Sequence, residues 1–189
     1  RIPGCILPYD LFFLEFSRRP PYEQARWIAS LPYGQMKIKS NIGWSVAHEL
    51  AWRGQLPRHL MRPEVLEIRD REGETVLWIL ARTGNLPEEL AHKKSFLTRH
   101  AVPGQLLVQV LLMEDVMPMD LLDSDVLSAD TGGESVMETF VRRNLFRDLR
   151  SQAGTAAEKL DRIPEDSLRM IIEFLRNGKL TPPVSGEEE

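Results

Sequence analysis

The chain has 189 residues, 42% hydrophobic and 28% charged, with a net charge of −4 and a pI near 5.7. It can bury a core, and its acidic balance argues against a dedicated nucleic-acid binder, which carries a net basic face. The single cysteine, Cys5, excludes an internal disulfide framework and a cysteine-rich zinc site, and fits a reducing, cytoplasmic setting.

No apolar run approaches the roughly 18 residues of a membrane span. The longest, Leu106 to Met113, is broken by Gln109 and stops at Glu114-Asp115. There is no signal-peptide pattern at the start. Arg1 in place of a methionine fits a trimmed chain or a fragment.

Residues 1–40 read as an N-terminal helical cap. Asp10 is placed to cap a short helix, Leu11 to Phe16, ended by Arg18-Arg19-Pro20-Pro21. Pro21 suits the start of a second helix, Tyr22 to Ser30, with Ala25, Ile28 and Ala29 on its apolar side and Leu31-Pro32-Tyr33-Gly34 closing it.

From residue 41 to 147 a pattern recurs. Gly43, Gly73, Gly104 and Gly133 lie 30, 31 and 29 residues apart. Eleven residues after each comes a breaker: Gly54, Gly84, Asp115 and Asn144. Pro57, Pro87 and Pro118 follow in the first three units. Ser45 and Thr75 are placed as helix N-caps. The apolar stripes Val46-Ala47-Leu50-Ala51, Val76-Leu77-Leu80-Ala81, Leu107-Val108-Leu111-Leu112 and Val136-Met137-Phe140-Val141 fall in one register at helical period. A shorter second helix is predicted from each proline, carrying Leu60, Leu90 or Leu121. The apolar pairs Val65-Leu66, Phe96-Leu97 and Val126-Leu127 then precede the next unit. A period near thirty signals stacked units, since one such hairpin cannot bury its apolar face alone.

Residues 148–178 read as a C-terminal helical cap. Pro164-Glu165-Asp166 opens its helix, Leu168, Ile171, Ile172 and Leu175 form a stripe, and Asn177-Gly178 stops it. Residues 179–189, ending in three glutamates, are expected to be a disordered acidic tail.

The repeating units resemble the ankyrin repeat, whose opening reads roughly Asp-x-x-Gly-x-Thr-Pro-Leu-His-x-Ala-Ala-x-x-Gly-x-Leu. Asp70-Arg71-Glu72-Gly73-Glu74-Thr75 matches that start, as does Asp130-Thr131-Gly132-Gly133-Glu134-Ser135 with serine for threonine. Ala81, Gly84 and Leu86 continue the match, and Gly43, Ser45, His48, Ala51, Gly54 and Leu56 fall in place in the first unit. The proline after the cap is replaced by Val46, Val76, Leu107 and Val136, and the units are about three residues shorter than the ankyrin period. The resemblance covers about residues 41 to 146. It implies an all-α, ankyrin-like helical-repeat solenoid, capped by helices at both ends, that binds a protein partner without catalysis. It also implies that His48 ties neighbouring loops by hydrogen bonds.

No residue set points to chemistry. His59, His92 and His100 lack a histidine or cysteine at metal spacing. Cys5 and the serines lie in no nucleophile motif. Gly132-Gly133 lacks the lysine and serine of a phosphate loop. The run Glu114, Asp115, Asp120, Asp123, Asp125 and Asp130 lacks calcium-loop spacing; it reads as a solvated face or a docking patch for a basic partner. No cofactor or metal is expected.

The expected partner contacts are Trp44 and Glu74 in the turns, Glu49 and Trp52 on the first helix, and Trp78 at the second unit's histidine position, where it can also pack on His48. Two other readings stand beside this one. One is a helical enzyme-associated or regulatory domain with His48 or His100 reactive. The other is a nucleic-acid-binding array using Arg18, Arg19, Lys37 and Lys39 or Arg142, Arg143, Arg147 and Arg150.

Overall fold

The computed structural model describes residues 7–145, 158 and 160–177. They form two units. One runs to Leu86 and includes Ala101–Pro103; the other comprises Pro87–His100 and the residues from Gly104 onward. Regular structure is almost entirely helical, in keeping with the all-α class, and includes one short hairpin.

In the first unit, α1 (Tyr9–Ser17) starts after Pro8 rather than after Asp10, which lies inside the first turn. It buries Phe12 and Phe16, and Phe12 stacks on Trp27 at 4.9 Å and 20°. Helix α2 (Pro21–Ala29) has its proline at the first helical position, as expected. Its inward side is Ile28 with half-buried Trp27; Ala25 and Ala29 face solvent, contrary to the predicted stripe. The reason is size: the large rings of α1 are matched by Trp27 and Ile28, which bury far more area than alanine. The one-turn helix α3 (Tyr33–Met36) forms where a turn is expected. Its buried Gln35 holds the chain ahead of α1, accepting from Leu7 N–H and donating to Leu7 C=O, both at 2.7 Å.

Next come α4 (Val46–Trp52), α5 (Pro63–Leu66) and α6 (Val76–Arg82). Ser45 and Thr75 cap α4 and α6, their hydroxyls accepting from His48 N–H at 3.3 Å and Trp78 N–H at 3.1 Å. Each helix is entered through a tight loop closed by one bridge, Lys39 with Ser45 and Arg69 with Thr75. Gly43 (φ +87°) and Gly73 (φ +84°) take the left-handed turn these loops need. At the far end Gln55 N–H reaches Leu50 C=O at 2.7 Å and Asn85 N–H reaches Leu80 C=O at 2.9 Å, closing α4 and α6 over left-handed Gly54 and Gly84. Both stripes are buried as predicted, together with Ile79.

The second unit holds α7 (Glu88–Ala91), α8 (Lys94–Leu97) and the short strand β2 (Gln105–Leu106), whereas Ala101 and Val102 of β1 (His100–Val102) belong to the first. Pro103-Gly104 is a turn dipeptide, which accounts for strands where helix alone is expected. Helix α9 (Leu107–Met113) has no capping hydroxyl at Leu106; Gln109 Oε1 accepts Leu106 N–H instead, at 2.8 Å. Its end is closed by Asp115 at φ +60°, doing the work of Gly54 and Gly84. Then come α10 (Ser124–Leu127), α11 (Val136–Phe140) capped by Ser135, and α12 (Glu165–Arg176). The stripes of α9 and α11 are buried, as are the pairs Phe96-Leu97 and Val126-Leu127.

The shorter second helix is split. After Pro57, Pro87 and Pro118 the chain makes one turn, Arg58–Leu60, α7 or Met119–Leu121, and then a second one-turn helix, α5, α8 or α10, that carries the apolar pair. In the fourth segment the left-handed glycine is Gly132 rather than Gly133. The predicted stop at Asn144 is absent, because α11 continues as a π-helical turn, Val141–Leu145. On α12, Ile171 is buried but Ile172 and Leu175 are 47% and 41% exposed, since the helix rests on its Ser167–Ile171 side. Gly178, the acidic tail, Cys5, Arg147 and Arg150 lie outside the described residues.

Candidate functional site

Helix α4 carries two of the predicted contact residues, Glu49 and Trp52, on the side away from its buried stripe. Glu49 is drawn into a local network. Its Oε1 accepts Arg53 Nε–H at 2.7 Å and its Oε2 accepts Trp44 Nε1–H at 3.0 Å. The Arg53 guanidinium also lies over Phe13 and Phe16 of α1, at 5.3 and 5.6 Å from the ring centroids. Arg53 stands four residues after Glu49, a spacing visible in the sequence, but its aromatic partners Phe13 and Phe16 lie 40 and 37 residues earlier in the chain. Burial pushes the nearby Tyr9 hydroxyl up to about 12, with Glu49 adding to the rise and Arg53 opposing it.

Trp52 stands apart, 56% exposed at the end of α4, with no ring or cation contact among the described residues. Ile42, in the loop ahead of α4, is 66% exposed; it was not among the predicted contacts. The half-buried Trp44 packs its ring on His48, 5.0 Å between centroids. Trp44 thus sits beside His48, a place that the sequence leaves open to Trp78. Trp78 instead carries the Arg82 guanidinium at 4.9 Å, one turn further along α6.

His48 is fully buried. Its Nδ1 faces Ser45 N–H at 3.3 Å and the Ser45 hydroxyl at 2.6 Å, and its Nε2 lies 3.1 Å from Glu74 C=O. A neutral ring protonated on Nε2 satisfies all of these, accepting at the cap and donating to the next loop. Burial lowers the pKa of His48, against an opposing pull from the Glu74 carbonyl. His48 thus ties the loop ahead of α4 to the loop ahead of α6. The Ser45–His48 pair has the donor order of a nucleophile and base, but both residues are fully buried. His100 lies exposed at the start of β1.

Glu74 serves the same junction through its backbone. Its C=O meets His48 and its N–H donates to Asp70 Oδ1 at 2.9 Å. Burial raises the pKa of its carboxyl, Asp70 and Glu72 add to that, and Arg82 opposes it.

Several of the remaining charged candidates are engaged internally. Asp123 caps α10 through Val126 N–H at 3.0 Å, and Lys94 Nζ bridges Asp123 and Asp125 at 2.6 and 2.8 Å. Arg19 lies over Trp27, Lys37 over Tyr33, Lys39 donates to Arg69 C=O, and Arg142 pairs with Glu134. Among the described residues no group of three or more histidine, cysteine or acidic side chains is placed to hold a metal ion, and no helix is long and apolar enough to cross a membrane. Compared with protein families, with curated proteins and with solved structures, the chain finds no match in any of the three.

Proposed function

We propose that this chain is a non-enzymatic protein-binding module. In this reading its ankyrin-like segments stack as a capped solenoid, and the α4 face with its leading loop meets the partner. One observation carries the reading. Trp52 is the one tryptophan of the predicted contact set that keeps most of its ring in water, on a helix whose opposite stripe is wholly buried. A large ring held on a rigid helix contributes binding energy without a large ordering cost. The internal bonding of Trp44, Glu49 and Glu74 gives them a supporting role, fixing the loop and helix that present Trp52 and Ile42. A reducing, cytoplasmic setting belongs to the proposal on the ground of the single cysteine.

Affinity capture from native lysate with wild type and Trp52→Ala tests it. Trp52 is exposed, so the variant should melt as wild type does. It should lose a protein that wild type retains, with an affinity deficit of about 2 kcal/mol, the threshold for an interface hot spot. Identical sets of retained proteins from the two baits would overturn the assignment of this face.

A further inference from the structure

The second unit contains a cleft of about 320 Å³ between the turn that follows α10 and one flank of α12. Its apolar lining comes from Leu127, Met137, Met170 and Phe174, beside the polar side chains of Ser128, Ser135 and Asn177. Its rim carries two exposed carboxylates, Asp130 from the turn and Glu173 from the helix. Asp130 spends one oxygen on Gly132 N–H at 2.8 Å. Among the described residues neither carboxylate has an ion-pair partner, and no lysine or arginine lines the cleft.

We propose that this cleft docks a basic peptide segment of a partner protein. One or two of its apolar side chains enter between Met137 and Phe174, and an adjacent lysine or arginine meets Asp130 and Glu173. The volume is at the low end of ligand pockets, which run from about 300 to 1,000 Å³, so it suits side chains better than a cofactor. Two methionines give a wall that adapts to different apolar anchors. The sign of the charge selects the occupant: two uncompensated carboxylates beside an apolar wall favour a cation attached to a hydrophobe. The chain's own acidic end, Glu187 to Glu189, has the wrong sign. The proposal is independent of the Trp52 face and stands or falls separately.

Fluorescence anisotropy on the full chain at low ionic strength tests it with three labelled peptides. These are Gly-Lys-Arg-Leu-Phe-Lys-Arg-Gly, its charge-reversed form Gly-Glu-Asp-Leu-Phe-Glu-Asp-Gly, and the apolar-free form Gly-Lys-Arg-Gly-Ser-Lys-Arg-Gly. The first should bind and the other two should not. The double variant Asp130→Asn/Glu173→Gln keeps an acceptor for Gly132 N–H and should bind the first peptide roughly threefold to tenfold more weakly. Glu173→Lys, an exposed change made alone, should shift preference toward the acidic peptide. Binding of none of the peptides, equal binding of the charge-reversed or apolar-free peptide, or unchanged affinity in the folded variants would overturn the proposal. So would self-association of the wild type that Glu173→Lys abolishes, because the cleft would then belong to a second copy.

Discussion

The third residue of each first helix decides how that helix is joined to its surroundings. His48, Gln109 and Glu138 each accept the N–H of the residue that precedes their helix, at 3.3, 2.8 and 2.8 Å. His48 and Gln109 also donate onward, to Glu74 C=O and Glu134 C=O. Trp78 occupies the same place with a ring that only donates. Thr75 N–H and its hydroxyl accordingly turn to Ala101 C=O, at 3.0 and 2.7 Å. Gln109 therefore predicts what His48→Gln should do: keep both bonds and remove the titration. His48 is held below its ordinary pKa of 6.5. Its contribution to stability is fully present above that value and is lost as the pH falls from there toward the lowered pKa. Wild type should lose stability in that window, and His48→Gln should lose less, as read by urea unfolding across pH. Parallel pH profiles for the two proteins would remove His48 from this role. His48→Ala, which leaves buried donors and acceptors unmatched, should cost about 1–3 kcal/mol at neutral pH.

At the scale of the element, loop and helix ends are set by left-handed residues whose surroundings differ. A Cβ on Gly43 would lie 2.5 Å from Arg71 Cγ and 3.1 Å from the Arg71 backbone nitrogen, whereas one on Gly84 would meet nothing within 4 Å. Gly84→Ala should therefore cost only the strain of its backbone, about 1–2 kcal/mol. Gly43→Ala adds overpacking and should cost about 2–4 kcal/mol. Equal losses in urea unfolding would show that the entry loop is looser than its geometry implies. These elements were legible because their signals are local. A hydroxyl at Ser45, Thr75 or Ser135 ahead of an apolar stripe fixes both the start and the buried face. What escaped depends on distant neighbours. Ala25 and Ala29 lose the inward side of α2 to Trp27 because the rings of α1 lie opposite. Ile172 and Leu175 stay exposed because α12 rests on another flank. In the turn expected at Gly132-Gly133, Gly132 is the left-handed residue, although its N–H bond to Asp130 Oδ1 at 2.8 Å matches that of Glu72 to Asp70, where the next residue, Gly73, is left-handed.

At the scale of the whole molecule, the recurrence near thirty residues was visible in the spacing alone, and it returns as hydrogen bonds at equivalent positions within each unit. The candidate site was less legible. Exposure of Trp52 follows from its place just off the stripe, but the engagement of Glu49 with Trp44 and Arg53 needs three dimensions. The proposal that the segments are stacked, interchangeable units has one direct test. Excising Gly73–Pro103 joins Glu72 to Gly104 at equivalent positions and leaves both ends of the chain intact. In a solenoid each unit leans only on its neighbours, so stability is a sum of unit and interface terms. The shortened chain should then remain helical by circular dichroism and melt cooperatively at a lower temperature than wild type. An unfolded or non-cooperative product would contradict stacking and, with it, the scaffold on which the proposed function rests.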